Sequence, residues 1–224
     1  MVIKTNGLNI DLFAGGGGYG WEDSWCYPEM HRYLLPLVGK DDAVLDLGAG
    51  VGRSAFPFAL MGAKVTLVDR DYDALAEASG IYTKAGIEDR IVDCGLDIET
   101  FLSQNRRRYK FVILSETLTH MPKSQGIKIF IEALEHCSGY IFVSIPSTFS
   151  WVYEHYRDAC YDCPEPGTYL DMCGCSGVEK IEPFSFYHPG ELESLVVGRG
   201  GRIICAESRI NHTENYNWIV IASI

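Results

Sequence analysis

The sequence has no apolar run approaching the roughly 18 to 20 residues that a bilayer-spanning helix needs, no internal repeat and no low-complexity tract. Its first residues lack the basic, then apolar, then small-residue order of a secretory signal. These absences lead to the expectation of a soluble, cytoplasmic protein with no membrane partner. Positive charge is scarce as well: 19 Lys and Arg stand against 30 Asp and Glu, for a formal net charge of −11. A nucleic-acid surface works by replacing condensed counterions with basic side chains, so an acidic chain must build its patch against its own field. The only dense basic run is Arg106–Arg108, with Lys110 close behind, and it reads as a solvated loop ahead of a strand. Nucleic acid is disfavoured as a partner, and a small molecule is favoured. Nothing in the sequence settles the oligomeric state.

What is present is ordinary globular chemistry. A length of 224 residues suits one domain with a small insertion. From Asp42 onward, short β-rich runs alternate with amphipathic segments. "AVLDL" (Ala43–Leu47) is almost continuously apolar, as expected of a strand covered by helices on both faces. "KVTLVD", "RIVDCG", "FVILS" and "YIFVSI" supply four more strands. Ile127, Phe130, Ile131 and Leu134 share one helical face between the last two. The chain finishes with "RIICAES" and "NWIVIASI", two strands with no helix between them, which therefore pair as a hairpin and force one strand antiparallel. The expected fold is α/β: a Rossmann-like doubly wound sheet of seven strands, mostly parallel, with a C-terminal antiparallel hairpin. Residues 1–40 read as an N-terminal cap segment and 41–224 as the main domain. An irregular insertion, rich in aromatics and cysteine, occupies about 147–187.

Two glycine clusters compete for a nucleotide. "DLFAGGGGYG" resembles the opening cofactor loop of the DNA cytosine-5 methyltransferases, yet no Pro-Cys dipeptide occurs anywhere to supply their nucleophile. No second strand with an acidic end follows it at the right distance either. "DLGAGVG" meets every requirement: an apolar strand before it, a helix on it, and Asp69 closing the next strand about 20 residues on. Its D-x-G-x-G-x-G spacing departs from the G-x-G-x-x-G of dinucleotide enzymes, which argues against a nicotinamide oxidoreductase. With the acidic strand end and the terminal hairpin, the sequence from about Tyr33 to Ile224 resembles the class I S-adenosylmethionine-dependent methyltransferases.

That resemblance implies S-adenosyl-L-methionine as cofactor and a role for each matching position. Asp46, with the backbone of Gly48, Ala49, Gly50 and Gly52, would face the methionine portion. Asp69 would hold both ribose hydroxyls, with Arg70 beside it. Asp97 would bond the adenine amino group, or act only as a helix N-cap before "IETFL", and Ile98 would lie against the ring. Ser115 and Glu116 would sit beside the sulfonium and the acceptor. In "SETLTHMP", Glu116 and His120 are the candidate catalytic groups. His120 is either a general base, its ordinary pKa suiting neutral conditions, or a residue that caps or packs the next turn. The acceptor is expected to be a small molecule, less readily a peptide, protein or nucleic acid. A cofactor-binding regulatory subunit without catalysis is the alternative.

Around the site, Tyr19, Trp21 and Trp25 are expected to fold over the cofactor. The insertion carries Trp151, Tyr153, His155, Tyr156, Tyr161, Tyr169, Phe184, Phe186 and Tyr187, either as a lid that forms an apolar substrate pocket or clamps a cation, or as a satellite core. Cys160, Cys163, Cys173 and Cys175, in the order C-x-x-C then C-x-C, either bind a structural zinc, remain free thiols, or form a soft-metalloid site like that of arsenite methyltransferases. Cys26, Cys94, Cys137 and Cys205 read as small core residues.

Overall fold

In a computed structural model, the strand–helix alternation closes into one seven-stranded sheet. Residues 2–5, 8–11, 27–158, 164–171, 182–210 and 216–224 are described. A short antiparallel hairpin, β1 (Val2–Thr5) and β2 (Leu8–Asp11), opens the chain, and α1 (Pro28–Tyr33) starts with Pro28, whose missing N–H costs nothing there. Then come β3 (Ala43–Leu47), α2 (Phe56–Leu60), β4 (Lys64–Val68), α3 (Tyr72–Ala85), β5 (Ile91–Cys94), α4 (Ile98–Gln104), β6 (Tyr109–Ser115), α5 (Lys123–His136) and β7 (Cys137–Pro146). The insertion contributes α6 (Trp151–Asp158) and a hairpin of β8 (Thr168–Asp171) with β9 (Glu182–Ser185). After α7 (Glu191–Val197), β10 (Arg202–Ile210) and β11 (Tyr216–Ser223) finish the chain.

Strand order in the sheet is β10-β11-β7-β6-β3-β4-β5. The neighbours from β7 to β5 pair in parallel, and β11 is antiparallel to both β7 and β10. Strand order reverses between β3 and β6, so their carboxyl ends open the crevice where such sheets bind ligands. Both faces are buried, which explains the unbroken apolar strands. Phe111 and Ile113 of β6 join one core with Val44, Phe58 and Tyr82. Val112 and Leu114 point to the other, with Phe130, Leu134 and Val143.

The described residues of the insertion pack together as a unit. Tyr156, Tyr169 and Phe186 are buried together, with Tyr153 and Phe184 against them. Tyr156 stacks on Phe184 with ring centroids 5.3 Å apart, and Phe184 meets Phe186 at 5.0 Å. These rings are therefore a satellite core and spend their faces on one another. A nearly buried Lys123 fastens this unit: its Nζ lies 2.7 Å from Glu191 at the head of α7, and its backbone N–H donates to Thr168 of β8. No helix among the described residues is long and apolar enough to cross a membrane.

Candidate active site

Between β3 and α2 the chain must turn sharply, and glycines 48, 50 and 52 all have positive φ, at 71°, 51° and 73°. The three are needed for different reasons. A Cβ on Gly48 would lie 2.5 Å from Thr117 Cγ2, and one on Gly52 would press on Leu67, Tyr82 and Ala78. At Gly50 a Cβ would meet no described residue within 4 Å, so among these its backbone is open to a ligand. The loop is tied down from below: Gly48 and Ala49 N–H donate to Val68 O, and the buried Tyr82 hydroxyl donates to Gly52 O at 2.8 Å.

Asp69, just past β4, takes the Gly50 N–H on Oδ2 at 2.7 Å and the Asp71 N–H on Oδ1 at 2.9 Å. It thus links the glycine turn to the start of α3. Asp46 lies beneath, 1% exposed, and accepts from the Ala55 N–H, while its Oδ2 is buried with no hydrogen-bond partner among the described residues. Burial first, and the Asp69 charge second, push the Asp46 carboxyl up to about 7. Two neighbouring carboxylates, one with an orphaned oxygen, beside a glycine turn open at Gly50, fit an elongated cationic ligand carrying a sugar and an ammonium group.

The remaining expected cofactor residues lie along the same edge. Arg70 is exposed directly after Asp69. Asp97 is the N-cap of α4: its Oδ1 accepts from Thr100 N–H at 2.8 Å and its Oδ2 from the Thr100 hydroxyl at 2.7 Å. Those bonds hold its carboxyl below the usual range. Ile98 is the first residue of that helix, and Ser115 Oγ is 3.4 Å from Ser144 Oγ at the ends of β6 and β7.

Glu116 follows β6 in a left-handed conformation, φ 58° and ψ 10°, which a non-glycine residue adopts only when its surroundings impose it. Its N–H is held by Ser144, through the carbonyl at 2.9 Å and the hydroxyl at 3.0 Å. Its Oε1 accepts from the Tyr27 hydroxyl at 2.6 Å and from Asn217 Nδ2 at 2.9 Å, and Asn217 also donates to Tyr27 at 3.1 Å. Next to it, Thr117 donates to Leu47 O at 2.7 Å, which brings this turn against the glycine loop. Thr119 Oγ1 is buried without a partner among the described residues. His120 is exposed at the end of the turn, its ring edge-on to Phe184 at 5.9 Å.

Tyr27, Asn217, Thr117 and Tyr82 escaped the sequence reading. Tyr27 and Asn217 are 190 residues apart in sequence, and only the pairing of β11 with β7 brings the asparagine to this edge. The basic triplet Arg106–Arg108 precedes β6, at the opposite end of that strand from Glu116, where Arg108 bonds Cys137 O. Tyr19, Trp21, Trp25, Cys26 and the four cysteines Cys160, Cys163, Cys173 and Cys175 lie outside the described residues. Among the described residues no group of three or more His, Cys, Asp or Glu could hold a metal. Cys137 and Cys205 are buried and Cys94 half-buried, all as free thiols.

This geometry is that of the class I S-adenosylmethionine-dependent methyltransferases. The model of a family described as a methyltransferase domain matches residues 39–185, well over half of the chain, and the protein belongs to that family. Several solved structures share the fold. An S-adenosylmethionine-dependent methyltransferase from Methanosarcina mazei is 20% identical with a TM-score of 0.66, over 89% of this chain and 98% of that one. Magnesium protoporphyrin IX methyltransferase from Synechocystis, with S-adenosylhomocysteine bound, is 16% identical with a TM-score of 0.64, over 87% and 78%. The 1,6-didemethyltoxoflavin-N1-methyltransferase of Burkholderia thailandensis, with its acceptor and S-adenosylhomocysteine bound, is 15% identical with a TM-score of 0.61, over 88% and 76%. No curated protein sequence matches the chain.

If the cofactor's ammonium group rests on Asp46, the raised carboxyl makes cofactor affinity depend on pH. An ammonium group needs the ionised form, which predominates only above about pH 7. Affinity for S-adenosylhomocysteine is therefore flat on the alkaline side and falls toward tenfold per pH unit below 7, with proton release on binding near pH 6. The sign for the free chain is opposite. The folded state binds a proton that the unfolded state has already lost between about pH 4 and 7, so this group's destabilising contribution is relieved as pH falls through that window. Calorimetric titration in buffers of different ionisation enthalpy checks both, and Asp46→Asn flattens the profile. Equal affinity at pH 8 and pH 5.5 refutes the assignment.

Proposed function

We propose that this methyltransferase acts on a small-molecule acceptor bound over Glu116 and His120, with the cofactor's sugar on Asp69 and its ammonium group on Asp46. The observation that supports this reading most directly is the polar group at Glu116, one residue from the Thr117 side chain that touches the glycine loop. An acidic chain whose basic triplet lies at the far end of β6 offers little to a nucleic acid. Two of the enzymes similar in fold are named for small-molecule substrates. Asp97 would meet the adenine with the lone pairs its capping bonds leave over, and Ile98 would cover the ring face.

Bound there, S-adenosylmethionine supplies an activated methyl group with a good leaving group already attached. The protein's part is to align the acceptor, exclude water and manage one proton. Glu116 orients the acceptor, and His120, four residues on, takes its proton. His120→Ala is expected to lower turnover about 100-fold at saturating substrate, the usual loss for a positioned base. Unchanged turnover removes His120 from the mechanism. Titration with S-adenosylhomocysteine and with NAD, followed by label transfer from methyl-tritiated S-adenosylmethionine to a panel of small molecules, tests the function as a whole. Binding without transfer to any small acceptor points to the regulatory alternative.

A further inference from the structure

We infer that the methyl acceptor is an amine nitrogen, selected by the fixed carboxylate of Glu116, and that Tyr27 and Asn217 are the positioning residues that fix it. This rests on the methyltransferase reading above and deepens it. Three observations converge. Glu116 is held at positive φ with its N–H on Ser144, so its backbone does not rotate freely. Tyr27 and Asn217 both donate to Oε1, which leaves Oε2 with no hydrogen bond from any described residue. Thr117, the next residue, is in contact with Gly48 and Leu47, which sets the exposed Glu116 at the end of β6 beside the glycine turn.

The donors are built to last. Tyr27 packs on Phe142 at 5.3 Å between ring centroids, and Asn217 is 2% exposed. Burial, and then the Glu116 charge, raise the Tyr27 phenol well above its ordinary value, which keeps it a donor. The orientation of Glu116 is therefore imposed by a sheet strand on one side and the start of α1 on the other.

Charge then selects the acceptor. An amine that takes a methyl group forms the N–C bond with its lone pair while the S–C bond breaks and that pair stays on sulfur. Positive charge thereby moves from sulfur to nitrogen, and the N–H proton leaves to His120. A fixed carboxylate beside the nitrogen stabilises that charge and accepts an N–H. It repels a phenolate, a carboxylate or an anionic metalloid brought to the same place.

Binding of benzylamine and of benzoate to the protein saturated with S-adenosylhomocysteine, by calorimetry at pH 7, tests the selection without turnover. Benzylamine is expected to bind at least about tenfold tighter, a preference that Glu116→Gln erases. Tyr27→Phe keeps the ring on Phe142 and removes the hydroxyl that donates to Glu116 and accepts from Asn217, and Asn217→Ala removes the other donor. Each should weaken benzylamine about three- to tenfold and lower kcat for amines, leaving the affinity for S-adenosylhomocysteine and the KM for S-adenosylmethionine unchanged. Equal affinity for the two ligands, no binding of benzylamine, or methyl label found on phenols or carboxylates and not on amines overturns the proposal. So does full activity of both positioning variants. Loss of S-adenosylhomocysteine binding by the parent protein fails at the earlier step and sinks the cofactor assignment too.

Discussion

With the cofactor's sugar on Asp69 as proposed, Asp69→Ala is expected to weaken S-adenosylhomocysteine by about 100-fold or more, since hydrogen bonds to a charged group contribute roughly 1.5 to 3 kcal/mol each and two ribose hydroxyls would lose theirs. A second loss comes from the protein itself. The same carboxylate holds the Gly50 and Asp71 N–H groups, so the variant also frees the turn that has to meet the cofactor. The damage should be largely confined to binding, because Asp69 lies past the end of β4 and outside both halves of the core. Calorimetry on the variant, with its unfolding midpoint measured alongside, separates the two effects. An affinity within about threefold of the parent would mean that the sugar does not rest on this residue.

Gly48→Ala attacks the same loop through sterics. The backbone there has φ 71°, which costs a side-chain-bearing residue about 1 to 2 kcal/mol. The new methyl group would also stand 2.5 Å from Thr117 Cγ2 and 2.7 Å from its Oγ1. Thr117 cannot simply swing away, because its hydroxyl is spent on Leu47 O in a buried bond. Destabilisation of about 3 kcal/mol or more is expected, the usual size for overpacking added to backbone strain, with loss of cofactor binding. The double variant Gly48→Ala/Thr117→Ala relieves the contact and leaves the strain. Denaturant unfolding of the four proteins of that cycle should give a coupling of about 1 kcal/mol or more. Additive effects would show that the loop and the Glu116 turn are independent.

The sheet was legible because its central strands are covered on both faces. Burial on two sides demands an unbroken apolar run, and "AVLDL", "FVILS" and "YIFVSI" announce themselves by composition alone. The glycine loop was legible for a related reason: three positive φ angles within five residues can be met cheaply only by glycine. The insertion was not. Its rings read equally as a lid or as a core, since an aromatic face suits a ligand as well as another ring. Only the antiparallel pairing of Tyr169 with Phe184, and the packing of Tyr156 across them, turned those faces inward.

Asp97 shows the same limit at one residue. Its place before "IETFL" announced a cap, and Thr100 supplies the geometry, yet local sequence cannot say which remaining lone pairs face a ligand. Glu116 shows it more sharply. The end of the fourth parallel strand marked it as a site residue, but its partners lie 89 and 101 positions away.

The local order of the chain therefore determined by itself the α/β fold and the glycine turn at Gly48–Gly52, because each depends on periodicity or backbone conformation within one strand–turn–helix unit. The tertiary structure alone decided what surrounds Glu116 and where the insertion's aromatic rings point. Those depend on which distant strands become neighbours, and hydrogen bonds between residues a hundred positions apart leave no trace in the spacing of either.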